Sequence, residues 1–345
     1  MTAPAIGIAA GAARALRVQR LAEFRLECGA TLRDVCQAYY LDGELNERRD
    51  NLVVVLHALT GSADAAGDWW RGLIGPGLAL DTDRNAVLAP NLLGSCYGTT
   101  GPASQHGTGD GTFPPVTTRD MAALVALLVD ALGVRSVALV TGGSLGGMVA
   151  LEWALLHPGR ARATAVFAAP AAHTAFAIGW NCAQRKALEL GEGGIELARM
   201  IAMLSFRTET EFERRFGREC DGAGEFAVRA YLAHHGAKLA ARFDAATYRV
   251  LLDAMDSHDV GRGRGGTARA LGGIRGRIVA VGIPGDLLYS TDVVRAWADD
   301  AGAQFRELSS AHGHDAFLLE RAQVGRILAS ALTPAREARH AAIQR

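Results

Sequence analysis

The chain carries a serine set among glycines, Gly142-Gly-Ser-Leu-Gly-Gly147, between an apolar run and a stretch of helical spacing. The run Ser136-Val-Ala-Leu-Val140 reads as a buried strand, and residues 145 to 157 read as a helix that Pro158 stops. Joining the two through glycines forces a tight strand-to-helix turn, which would hold the Ser144 hydroxyl above a sheet in a strained conformation. A phosphate-binding glycine loop is the competing reading, but neither the dinucleotide spacing nor a Walker lysine is present. Nucleophilic catalysis by Ser144 is therefore the expectation.

A serine hydroxyl is a weak nucleophile near neutral pH and needs a base that a third group orients. Asp286, in Gly282-Ile-Pro-Gly-Asp-Leu-Leu-Tyr289, follows the apolar run Arg277-Ile-Val-Ala-Val281. His314, in His312-Gly-His-Asp-Ala-Phe317, follows the candidate strand Gln304-Phe-Arg-Glu-Leu308. Both fall at strand C-terminal ends, where separate loops converge, and they follow the serine in the order acid, then histidine. His312 competes for the role of base, and residue order does not separate the two histidines. The charge that builds on an attacked carbonyl needs backbone N–H donors. Leu145, next after the serine, would supply one, and Leu59, in the loop His57-Ala-Leu-Thr-Gly61, the other. His57 precedes the turn and is read as support for that loop.

Positioning these residues takes a mostly parallel sheet with helices on its faces, because short apolar runs alternate with longer helical patterns. Leu52-Val-Val-Val-Leu56 and Asn85-Ala-Val-Leu-Ala89 add two more central strands, and residues 117 to 132 carry apolar side chains at helical spacing after two threonines that could cap the helix. From about Thr174 to Asp259 the strand pattern stops, and amphipathic helices such as Ile195-Glu-Leu-Ala-Arg-Met-Ile-Ala-Met-Leu204 take over. The organisation expected is an α/β core over residues 1–173 and 267–345, with a helical lid over 174–266 that covers the site and excludes water. Gly261-Arg-Gly-Arg-Gly-Gly266 reads as a plain surface loop on the way back from the lid.

Composition narrows the function. With 36 basic and 36 acidic residues the net charge is zero, so no global field draws nucleic acid or an anionic membrane. Five scattered cysteines lack the close pairs of zinc sites or disulfide frameworks, which points to a reducing compartment and to no metal. The first ten residues are apolar only briefly and lack a basic start, and no apolar run reaches the roughly 20 residues of a membrane span. The expectation is a cytoplasmic enzyme acting on small molecules.

Several segments together resemble the homoserine O-acetyltransferase family, homoserine and serine O-acyltransferases of the α/β-hydrolase fold. They are His57-Ala-Leu-Thr-Gly61, Asn91-Leu-Leu-Gly-Ser-Cys-Tyr-Gly-Thr-Thr-Gly-Pro-Ala-Ser104, Thr117-Thr-Arg-Asp-Met121, Gly142-Gly-Ser-Leu-Gly-Gly-Met148, Leu151-Glu-Trp153, Gln184-Arg185 and Gly313-His-Asp-Ala-Phe-Leu318. The Asn91 to Ser104 block is the most specific. The resemblance implies a ping-pong reaction of methionine biosynthesis: Ser144 takes an acyl group from acyl-CoA, and the hydroxyl of L-homoserine then takes it from the serine. It implies that Arg185 pairs with the amino acid's carboxylate and Asp315 with its amine, and that no cofactor is bound beyond the co-substrate. Asp286-Leu-Leu-Tyr289 looks like the acetyl-using members, since succinyl-using relatives resemble Asp-Trp-Arg there, so acetyl-CoA is the expected donor. A serine acceptor or a succinyl donor is the alternative within the family, and a carboxylesterase the alternative outside it. The stretch Lys186 to Gly194 is shorter than in the family pattern, and Ser95 stands where a glycine is common. Exposed apolar faces of the lid are expected to pair two chains into a homodimer.

Overall fold

The computed structural model describes residues 14–104 and 113–333; the apolar first ten residues lie outside them. Strands β1 (Arg17–Arg25) and β2 (Thr31–Asp42) form an antiparallel hairpin. With β3 (Leu52–Leu56), β4 (Ala86–Pro90), β5 (Val137–Gly143), β6 (Ala161–Phe167), β7 (Arg277–Gly282) and β8 (Gln304–Glu307) they make one sheet in the order β1-β2-β4-β3-β5-β6-β7-β8. The β2–β4 pairing is antiparallel, and every pairing from β4 to β8 is parallel.

β3, β4 and β5 are buried at every residue, as strands covered on both faces must be. The pleat divides them between two cores: Leu52, Val54 and Leu56 pack with Met121, Leu128 and Met148, while Val53 and Val55 pack with Trp70, Phe167 and Phe317. Helix α1 (Thr118–Ala131) starts on a capping box in which Thr117 and Asp120 satisfy each other's backbone N–H groups. Helix α2 (Leu145–Leu156) begins directly after Ser144 and is buried from Leu145 to Ala154.

Between β6 and the short helix that precedes β7 run five helices: α3 (Ala175–Leu188), α4 (Gly194–Phe206), α5 (Glu209–Phe216), α6 (Ala227–Ala240) and α7 (Ala245–Asp256). α4 packs against both α3 and α6. The chain then passes through α8 (Thr267–Leu271), α9 (Thr291–Asp300), α10 (Ala316–Leu319) and α11 (Arg321–Leu332).

The glycine-arginine return segment differs from the plain loop expected. Arg264 Nη2 stands 2.7 Å from Oε2 of the buried Glu152, and Arg262 forks onto Glu27 at 2.9 and 3.0 Å. Arg119 bridges the two acids, reaching Glu27 at 2.9 Å and Glu152 at 3.1 Å. The exit from the lid is thus pinned to α1, α2 and the β1–β2 hairpin. Among the described residues no helix is long and apolar enough to cross a membrane, and all five cysteines are unpaired.

Candidate active site

Ser144 joins β5 to α2 with φ 55° and ψ −124°, a backbone region that non-glycine residues seldom occupy. Its neighbours hold it there. The Ser144 N–H donates to Phe167 O on β6 at 3.0 Å, and the Ser144 carbonyl accepts from Met148 N–H at 3.0 Å. The turn is tight because its glycines touch backbone: a Cβ on Gly146 would lie 2.1 Å from Leu56 O, and one on Gly142 would lie 2.6 Å from Gly146 C. No larger residue fits at either place without moving β3 away from α2.

His314 sits in a short 3-10 turn, Gly313–Asp315, whose entry Gly313 has φ 65°. Its Nδ1 lies 2.7 Å from Asp286 Oδ2. The other carboxylate oxygen, Oδ1, accepts from the N–H groups of Leu288 at 2.8 Å and Tyr289 at 3.1 Å, so Asp286 is locked in the loop after β7. Burial pushes the His314 imidazole down, but the charge and hydrogen bond of Asp286 outweigh it, and the net is a pKa above the ordinary histidine value. The remaining nitrogen, Nε2, is buried and has no hydrogen-bond partner among the described residues. His312, the competing base, lies instead with its Nδ1 3.0 Å from Glu211 Oε1.

Ser144 opens onto an enclosed cavity of about 20 Å³, walled by Leu59, His173, Leu288 and Tyr289 and, from the lid side, by Asn181, Gln184 and Phe206. The His314 ring packs on two of those wall residues, at 5.8 Å from Phe206 and 5.4 Å from Tyr289. Leu59 thus stands beside the nucleophile. Leu145 occupies the first helical position of α2, where an N–H has no carbonyl of its own helix to bond. His57 fixes the Leu59 loop: its Nδ1 donates to Ala58 O at 2.8 Å and its Nε2 accepts from Leu92 N–H at 3.0 Å. Burial lowers the His57 pKa to about 4, so the ring is neutral and serves as a brace between β3 and β4.

The structure gives each of the two residues expected to read the substrate partners of opposite charge. Arg185 does not line the cavity; its Nη1 pairs with Asp256 Oδ2 at 2.5 Å and Asp253 Oδ1 at 3.1 Å, joining α3 to α7. Two carboxylates of α7 thus hold the guanidinium. Asp315 lies 3.2 Å from Nη2 of Arg207. Arg207 immediately follows Phe206 of the cavity wall, and its guanidinium is largely buried with an Nε that has no hydrogen-bond partner among the described residues. Sequence reading missed Arg207. The available signal was the break in helical spacing after Leu204, where α4 ends and Thr208 caps α5.

A second buried chain went unnoticed too. His173 Nδ1 lies 3.1 Å from Asp256 Oδ1, and His173 Nε2 lies 3.0 Å from the Tyr289 hydroxyl. Asp256 also accepts from Asn181 at 2.7 Å. These bonds tie α3 and α7 of the lid to the residue whose N–H holds Asp286.

Comparisons agree with this geometry. A family model described as alpha/beta hydrolase fold matches residues 51–182. A homoserine O-acetyltransferase of Thermobifida fusca is 45% identical over 335 residues, covering 87% of this chain and 88% of that protein. One of Thermus thermophilus is 46% identical over 339 residues, covering 88% of each. Among solved structures, a homoserine O-acetyltransferase of Staphylococcus aureus superposes with TM-score 0.80 at 29% identity, over 93% of this chain and 96% of that one. An esterase of the same fold superposes with TM-score 0.85 at 21% identity, over 92% and 100%.

Proposed function

Because the chain belongs to the homoserine O-acetyltransferase family of the α/β-hydrolase fold, we propose that it moves an acetyl group from acetyl-CoA to the hydroxyl of L-homoserine, with Ser144 carrying the group between them. In the first half-reaction Ser144 Oγ attacks the thioester carbonyl as its proton passes to His314 Nε2. The negative oxygen is taken by the N–H groups of Leu59 and Leu145, and the thiol of CoA leaves with the proton from His314. In the second, the homoserine hydroxyl gives its proton to His314 and attacks the acyl-serine, and Ser144 leaves with that proton restored. Asp286 holds the imidazole and stabilises its charged form throughout.

The observation that most supports this reading is that Arg185 directly follows Gln184 of the cavity wall while Asp315 directly follows His314. Hydrolysis needs no such pair. A free amino acid bears one charge of each sign, and its carboxylate can take the guanidinium while its ammonium takes the carboxylate. Arg185 is thus the proposed reader of the acceptor's carboxylate, with Asp315 for the amine. Leu287 and Leu288 after the catalytic acid offer no cation for a second carboxylate, which favours an acetyl over a succinyl donor. The test is CoA release with each donor and acceptor in turn. Acetyl-CoA with homoserine should give the highest kcat/KM; a rate unchanged by omitting the amino acid would instead indicate an esterase.

Two copies are proposed to meet through the lid, where Phe176 and Leu190 are 61% and 68% exposed. Light scattering of Phe176→Glu against the parent protein checks this, and the same mass for both would contradict it.

A further inference from the structure

A second chain of carboxylate, histidine and hydroxyl faces the cavity that Ser144 opens onto, and acyl transfer does not by itself call for it. His173 and Tyr289 both line that cavity and are buried. His173 stands at the root of the lid, where the lid's two ends run side by side: its N–H donates to His258 O at 2.8 Å, and Val260 N–H donates to Ala171 O at 2.9 Å. Its ring is held in turn at Nδ1, 3.1 Å from Oδ1 of Asp256, whose other oxygen meets Arg185. An ionised carboxylate only accepts, so Nδ1 carries the proton, and Nε2 of the neutral ring accepts from the Tyr289 O–H at 3.0 Å. Burial pushes the Tyr289 phenol well above its ordinary pKa, which keeps that proton on the oxygen.

Tyr289 carries that hold to the catalytic pair. Its N–H donates to Asp286 Oδ1 at 3.1 Å, and its ring stands edge-on to the His314 ring with centroids 5.4 Å apart. We infer that His173 is a positioning residue for both half-reactions, whose grip on the Tyr289 hydroxyl sets the loop after β7 so that Asp286 Oδ2 meets His314 Nδ1. This rests on the proposed acyl-serine chemistry with His314 as base. Without the hydroxyl bond only packing places the Tyr289 ring, its N–H drifts from Oδ1, and Leu288 N–H is left as the donor on that oxygen. The charges that raise His314 are those of Asp286 and Asp315, so an Asp286 free to turn leaves a weaker base.

The test uses the full chain with Tyr289→Phe, His173→Asn and His173→Gln, and follows the pH dependence of the CoA burst from acetyl-CoA without acceptor, together with the melting temperature. No amino acid is present, so a change in the burst cannot come from lost acceptor contacts. Tyr289→Phe and His173→Asn should each slow the burst by roughly ten- to a hundredfold, the cost of a small misplacement, and move its acid limb to lower pH. His173→Gln, whose amide reaches the place of Nε2 where that of asparagine stops short, should recover part of the rate. The parent's burst and limb in Tyr289→Phe would overturn the inference. So would a slower burst with the limb unmoved, since the loss would then bypass the Asp286–His314 contact, or a lower melting temperature with the parent's kinetics, which would leave His173 a structural brace. If the His173 variants do not fold, Tyr289→Phe, which removes one oxygen, decides alone. Should the parent itself release no CoA, the donor reading fails, and the same profiles are read from acylation by p-nitrophenyl acetate, which needs only Ser144 and its base.

Discussion

Nδ1 of His314 and Oδ2 of Asp286 stand 2.7 Å apart, both buried, and that contact lifts the histidine above its ordinary pKa against the pull of burial. A base must be unprotonated to take the serine proton, so kcat/KM falls as pH drops through the His314 pKa, on the high side of 6.5. Asp286→Asn removes the lift and leaves burial's downward push. The acid limb should then move to lower pH and the rate should drop by roughly 10³- to 10⁴-fold. A limb that stays in place would show that another group sets it.

The strained backbone at Ser144 gives a prediction about stability. Glycine relaxes at φ 55° and alanine does not, so Ser144→Gly should melt above Ser144→Ala, by an amount of order 1 kcal/mol. Both variants should be inactive. Equal melting temperatures for the two would mean that the turn stores no strain.

Two buried histidines make the fold sensitive to acid. Burial holds His57 at about 4 and His258 at about 3, each neutral and bonded through both ring nitrogens. The unfolded chain protonates them near 6.5, so their contribution is complete above that pH and is lost as pH falls toward the folded values. At pH 5 the loss is roughly 2 kcal/mol for each. His314, raised rather than lowered, works in the opposite direction and offsets part of it. Urea unfolding at pH 7.5 and pH 5 measures the sum, and equal midpoints would refute it.

Glu152 is the acid that Arg119 and Arg264 share, with a side chain 1% exposed. Glu152→Gln leaves two guanidinium groups short of a partner and should cost about 3 kcal/mol, at the low end for a broken buried pair because Arg119 keeps Glu27. Denaturant unfolding checks it; a change under about 0.5 kcal/mol would mean that the clamp adds nothing.

The elbow and the acid were legible because each sits where an apolar run ends, and burial on both faces makes such runs stand out; the base follows the exposed β8, and its order after the acid pointed to it. β6 was not named: Ala161-Arg-Ala-Thr-Ala-Val-Phe167 mixes small and charged residues and carries little strand signal. The hairpin of β1 and β2 was missed as well, because much of β1 is exposed and its residues are correspondingly polar. Several residues noticed as family motifs turn out to brace the fold. Thr99 and Thr100 hydroxyls take the N–H groups of Ala38 and Cys36 and stitch the 91–104 block to β2. The partners of Arg185 and Arg207 show the limit of single-chain reading. Both arginines lie at or near helix ends in the lid, and only packing reveals that Asp253 and Asp256 claim the first while Asp315 faces the second.

The account stands on Ser144 becoming acylated by the donor before any acceptor arrives. Brief exposure of the protein to acetyl-CoA alone, followed by mass spectrometry of the peptide containing Ser144, tests this directly. One acetyl group on Ser144, absent from Ser144→Ala and removed on adding homoserine, is the predicted result. An unmodified serine in a protein that still makes acetylhomoserine would contradict the acyl-serine mechanism.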